Sequence, residues 1–154
     1  MKNIEMLLQE LETKIPLQNV LQTSVSAASI GWHIEHILLT INKIAEATKT
    51  SDADNYKFVF KPLKYIVYLT GKIPRGKAKN PKVVEPDFFD ENTLNVHLQK
   101  TKTINLELEN IEKNKYFKHP FFGNLKLNDT IKFLEIHTMH HLKIINDIQQ
   151  AASK

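Results

Sequence analysis

Within five residues, His137-Thr138-Met139-His140-His141, the chain places three of its seven histidines. The surrounding segment has helical periodicity, and an α-helix advances about 100° per residue, so His137 and His141 project to the same side. Two imidazoles so placed can grip one metal ion. Phe133, Leu134, Ile144, Ile145 and Ile148 fall around the same direction, which puts the pair inside the apolar stripe that faces the core. His140 falls at the edge of that stripe. Burying two neighbouring imidazoles otherwise demands two separate hydrogen-bond solutions, whereas one cation satisfies both. The spacing matches the His-x-x-x-His of zinc proteases, but Thr138 stands where that motif carries its glutamate general base, so that mechanism is excluded.

An open, catalytic zinc-type site commonly has three protein ligands and a free position. The third must come from elsewhere in the chain. The segment Trp32-His33-Ile34-Glu35-His36-Ile37 offers two histidines on the non-charged half of a second helix. Periodicity leans towards His33, whereas the small residues Ser29, Thr40 and Ala47 would leave a hollow beside His36; His97, on a later helix, is a third possibility. The ordinary alternative for His33, His97 and His119 is a hydrogen-bonded core histidine, and for His140 an edge or supporting position. With no cysteine present, any metal must be held by imidazole and oxygen. Imidazole suits zinc, nickel, copper and iron alike, so ligand type does not name the ion.

Five helices must position these residues. Ile4, Leu7, Leu8 and Leu11 predict a helix over residues 3–14, stopped by Pro16. Ser24 and Ser26 offer N-caps for a second helix reaching about Ala47, with Ile30, Ile34, Ile37, Ile41 and Ile44 inward and Glu35, Asn42, Glu46 and Lys49 on the solvated side. Pro62 and Gly71 bracket a short, apolar third helix. Residues 72–89 read as a long ordered loop. Asp90 caps a fourth helix ending near Glu112, and Asn128 caps a last one over residues 129–150. No strand pattern stands out between them. The expected architecture is therefore all-α, a single domain over residues 1–154 built as an up-and-down four-helix bundle with an additional short helix and long loops.

Composition narrows the function classes. The net charge is only +4, and Arg75 is the sole arginine, although arginine is the preferred reader of phosphate and guanine, so nucleic-acid binding is not favoured. No signal pattern opens the chain and no apolar run approaches the roughly 20 residues of a spanning helix, which points to a cytoplasmic protein without a membrane partner. No phosphate loop, dinucleotide fingerprint or nucleophilic serine motif appears. The basic stretch from Gly71 to Lys82, with five positive charges and no acid, would attract an anionic substrate if it folds near the metal, though most such runs are simply solvated. Phe117, Phe121 and Phe122 suit a plug at one end of the helices, and Tyr65 and Tyr68 could donate to a substrate or reach solvent from buried rings.

The pairing of His36-Ile37 on a long second helix with His137-Thr138-Met139-His140-His141-Leu142 on a late one resembles the DinB/YfiT-like metalloenzyme superfamily. His119-Pro120-Phe121-Phe122-Gly123-Asn124-Leu125 followed by the histidine cluster is similar to a branch of it with no assigned activity. The resemblance implies a four-helix bundle over the whole chain, and a metal held by His36, His137 and His141. It therefore selects His36 where periodicity leans to His33. The tryptophan that many members carry about two turns before the helix-two ligand is Ala28 here. The resemblance further implies a divalent ion, zinc or nickel, at a mononuclear three-histidine site, in a homodimer acting on a small molecule. Low-molecular-weight-thiol transfer is the first activity implied, and metal-dependent hydrolysis the second. A non-catalytic metal-binding or dimeric assembly role is the rival, to be marked by a fourth protein ligand such as His97 closing the site.

Overall fold

The computed structural model describes residues 3–75, 82–108 and 110–153. Asn3 accepts a hydrogen bond from the Met6 N–H at 2.9 Å and so starts α1, Ile4–Glu12. A single 3-10 turn, Ile15–Leu17, follows Pro16 into a folded-back connection. The second helix begins later than its serines suggest. Ser29 caps α2, Ile30–Lys49, whereas Ser26 Oγ is occupied by the Ala28 N–H and by His33. The connection instead supplies backbone partners to the first turn of α2, with Ile30 N–H donating to Val20 O and Gly31 N–H to Gln18 O.

The short third helix, α3, spans Pro62–Thr70 and ends at Gly71, whose φ of 63° is the left-handed exit. Asp90 Oδ1 accepts from the Thr93 N–H at 2.7 Å to start α4, Glu91–Leu108. It stops short of Glu112 because Asn110 and Ile111 turn back onto Glu107 and Leu108 through three-residue bonds. The following connector is not strandless. Tyr116–His119 (β1) and Gly123–Lys126 (β2) form an antiparallel hairpin with Phe117 opposite Leu125 and His119 opposite Gly123. Strands of four residues are too short to show alternation, which is why the pattern escapes the sequence. Gly123 sits at φ 74° with Val59 only 3.2 Å from where a Cβ would stand, so the turn requires glycine twice over.

β2 runs directly into α5, Leu127–Ala152, so Asn128 lies inside the helix and caps nothing. The Leu127 N–H is satisfied by Lys115 O, and Thr130 Oγ1 donates to Leu125 O. The fold is thus mainly helical with one small hairpin. α2 packs against both α4 and α5, and α1 bridges the same two helices. Their shared core joins Leu7 and Leu11, Ile34 and Ile41, Leu94 and Leu98, and Leu134 and Ile145. The amino-terminal half of α2 is covered on every side, because the 3-10 turns Ile15–Leu17 and Lys82–Val84 lie against it as well. Glu35, expected on the solvated side, faces α4, where it meets His97, and is 2% exposed. The middle of the basic loop, residues 76–81, lies outside the described residues. Just before it, Arg75 pairs with Asp147 at 2.6 Å. No helix among the described residues is long and apolar enough to cross a membrane.

Candidate metal centre

The facing sides of α2 and α5 bring His36, His137 and His141 together, although a hundred residues separate the first from the second. Their rings form a nearly equilateral triangle, with centroids 5.2 Å apart for His36 and His137, 4.7 Å for His36 and His141, and 4.6 Å for His137 and His141. One ligand atom from each lies within 4.8 Å of the others. Three nitrogens bound to a tetrahedral ion at about 2.1 Å stand about 3.4 Å from one another, so side-chain adjustments on the order of an ångström close the triad on a cation. Three close, buried or half-buried imidazoles could bind a metal ion here.

Hydrogen bonding decides which nitrogens are available. Nδ1 of His36 is 2.8 Å from Val84 O and must donate to it, so the proton sits on Nδ1 and Nε2 is left as a bare lone pair. That Nε2 is buried and has no partner among the described residues. Nδ1 of His137 is in the same condition. Orphaned imidazole nitrogens in the interior call for an acceptor of their lone pairs, and a cation is the group that takes more than one at once. His141 Nδ1 lies 3.0 Å from His33 Nδ1. When His141 carries that proton it donates to His33, whose Nε2–H then donates to Ser26 Oγ at 3.0 Å. This assignment frees His141 Nε2 and fixes its ring, the arrangement that typically supports a metal-ligating histidine.

The surroundings keep these rings neutral. Burial lowers the pKa of His36, of His141 and of His137, and the neighbouring imidazoles lower the last two further. His33 is lowered to about 4, by burial first and then by His36, His140 and Arg75. Protons therefore do not compete for the lone pairs at neutral pH. Trp32 stacks on His36, with ring centroids 5.1 Å apart and planes at 12°, and Phe133 lies 5.6 Å from His137. Of the small residues expected beside His36, Thr40 is buried with its hydroxyl unpartnered among the described residues, Ser29 serves as the cap, and Ala47 is exposed.

The remaining histidines are engaged otherwise. His140 is half-buried, its ring edge-on to His141 at 5.1 Å. His97 bonds Glu35 Oε1 through Nδ1 at 2.7 Å, on the side of α2 that faces α4. His119 closes the hairpin: its Nδ1 accepts from the N–H groups of Phe121 and Phe122 at 3.1 Å, and its ring stacks on Phe122 at 4.3 Å. Among the aromatics, Phe122 is buried while Phe121 is 51% exposed, and Tyr68 donates its hydroxyl to Asp129 O. Sequence reasoning missed the Val84 carbonyl, which nothing in a loop forty-eight residues away announces. It also missed the bond from His33 to His141, although the helical offset of three between His33 and His36 was a signal that both could face α5. No family model, curated protein or solved structure matches the chain.

Proposed function

We propose that this chain is a DinB/YfiT-like metalloenzyme in which His36, His137 and His141 hold one divalent cation, zinc or nickel, at a site left open to a small molecule. α1, α2, α4 and α5 then form an up-and-down four-helix bundle, a reading supported by the way α1 and α2 each touch both α4 and α5. A divalent ion on three neutral ligands keeps its full charge and supplies Lewis acidity that draws the pKa of a water or thiol towards neutrality. Thiol transfer to an electrophilic acceptor is the first activity this chemistry suits, and hydrolysis the second. The protein's own part is positional. Val84 O sets the His36 tautomer, His33 and Ser26 orient His141, and Trp32 and Phe133 limit water at the rings.

The observation that carries this reading is the buried Nε2 of His36, which has no partner among the described residues and whose tautomer is dictated by a backbone carbonyl. The rival, a closed structural site, needs a fourth donor. His97, its expected source, is committed to Glu35, which favours the open site. Metal analysis of protein purified without added metal tests the proposal, with about one equivalent per chain expected and retained after dialysis. Absence of metal, together with no gain in thermal stability on adding zinc or nickel, overturns it. A screen of thiols against electrophilic acceptors then separates catalysis from storage, because uniform inactivity at full occupancy favours the non-catalytic rival.

A further inference from the structure

α3 is turned inside out relative to the other helices. Taken around its axis, Tyr65, Leu69, Pro62, Ile66 and Leu63 follow one another across about 160°. All are exposed, Leu69 to 89% and Ile66 to 58%. The inward side carries Val67 and, unusually, Lys64, which forms an ion pair with Asp129 beside the Tyr68 hydroxyl bond to the same residue. A polar latch therefore holds the helix down while its apolar side chains point away. The preceding segment continues the surface. Phe58 and Phe60 are 65% and 63% exposed, and the Phe60 ring lies 5.3 Å from that of Tyr65. So large a contiguous apolar patch marks an interaction site.

Charge selects what covers it. Between Asp54 and Glu85 the sequence has eight basic residues and no acidic one. Lys64 and Arg75 are neutralised by Asp129 and Asp147, but Lys57, Lys61 and Lys72 are exposed around the patch. A second copy related by a twofold axis would set this basic run against itself. Nucleic acid would meet the charge but gain nothing from Leu63, Ile66 and Leu69. An anionic phospholipid surface offers both negative charge and an apolar layer, and lysines flanking an apolar helix face can keep their stems in that layer and their heads at the phosphates.

We infer that α3 and residues 58–60 form a docking surface for an anionic lipid membrane, with the outward side chains entering at the headgroup level. The absence of a spanning helix among the described residues bears on crossing a bilayer and not on resting against it. The inference is independent of the metal centre, and the dimer implied by resemblance then uses another face. Flotation of the intact protein with phosphatidylcholine vesicles, with and without about one third phosphatidylserine, is the test. Binding to the anionic vesicles, at least about tenfold weaker on neutral ones and reversed by high salt, is the expected result. Leu69→Glu and Ile66→Glu, both at exposed positions, should each weaken it by about tenfold or more while leaving the circular dichroism spectrum unchanged. Failure to bind, or equal binding to both vesicles, overturns the inference. So does a dimer in sedimentation equilibrium that Leu69→Glu splits, because a second copy is then the occupant.

Discussion

Two faces of one helix meet histidine in opposite ways. Towards α5, α2 presents His33 and His36 to His137 and His141, a cluster whose hydrogen-bond partners among the described residues are other imidazoles, a carbonyl and a serine, with no carboxylate. Towards α4, it presents Glu35, whose Oε1 meets His97 Nδ1 at 2.7 Å. A carboxylate oxygen accepts the imidazole N–H and thereby satisfies it locally. Without one, burial keeps the rings neutral and leaves lone pairs that nothing nearby can use. For the proposed metal site, the contrast suggests that histidine as such is not enough. What matters is that no acid is supplied to tie the rings up as ordinary hydrogen-bond partners.

The widest separation between the faces should come from deleting one ring on each. His36→Ala should lower zinc or nickel affinity by more than the roughly 10–100-fold that loss of a merely supporting residue costs, whereas His97→Ala should leave stoichiometry and affinity as they are. Titration of the metal-free protein with either ion reads both. If His97→Ala releases the metal and His36→Ala retains it, the assignment of the two faces is reversed.

Next in size is the opposite experiment, on the acid. Glu35→Ala empties a side chain that is 3% exposed and removes the partner of a histidine that is 36% exposed. The expected loss is about 2 kcal/mol of unfolding free energy, less than for a fully buried ion pair because His97 can turn to water. Metal binding should be unaffected. Urea denaturation with and without metal checks both, and a simultaneous loss of metal would show that the two faces are one network.

How far such a contrast can be read from sequence depends on what sets each residue's surroundings. The apolar spacing of α1, α4 and α5 reports burial faithfully because each has one covered side, whereas α3 reverses the rule; the offset of four between His137 and His141 is enough to pair them. Glu35 defeats periodicity, because α4, a distant segment, covers that side of α2 and supplies His97 as the partner of the buried carboxylate. The choice between His33 and His36 fails for a related reason. Both are buried, at 4% and 1% exposure, so position on the helix does not distinguish them. What does is the Val84 carbonyl, a long-range contact that turns His36 Nε2 into a free lone pair while His33 is spent on Ser26 and His141. The hairpin is hidden by the brevity of its strands, and only Gly123 at its turn hints at it.

A smaller effect separates members of the histidine face itself. His33 bonds His141 and stands outside the triad, so under the proposed reading it positions a ligand. His33→Ala should weaken metal binding by roughly 10–100-fold without changing the one-to-one stoichiometry. His33→Gln, able to accept from His141 through its amide oxygen, should recover part of the loss. Isothermal titration on the pair of variants distinguishes this from a structural role, since a residue that only packs would not be rescued by a hydrogen-bonding replacement. Complete loss of metal in His33→Ala would make it the third ligand in place of His36.

The least perturbing change, Glu35→Gln, tests the comparison through its pH dependence. Burial raises the Glu35 pKa above 4.5, and His97 offsets only part of that rise. Above pH 4.5 the folded protein then holds more protons on this group than the unfolded chain does, so its contribution to stability falls as pH rises through the folded pKa. Glutamine mimics the protonated acid and removes that fall. On the other side, burial lowers His119 from 6.5 to about 4, and protonating its Nδ1 would also break both hairpin bonds it accepts. Between those two values the unfolded chain binds the extra proton, so stability falls as pH drops from about 6.5 to about 4. In metal-free protein, therefore, Glu35→Gln should gain on the wild type as pH rises above 4.5, while the acid-side loss persists in both. Denaturation midpoints across that range decide the matter: if the difference between Glu35→Gln and wild type shrinks with rising pH, the carboxylate is held charged by His97, and the α4 face is a simple ion pair.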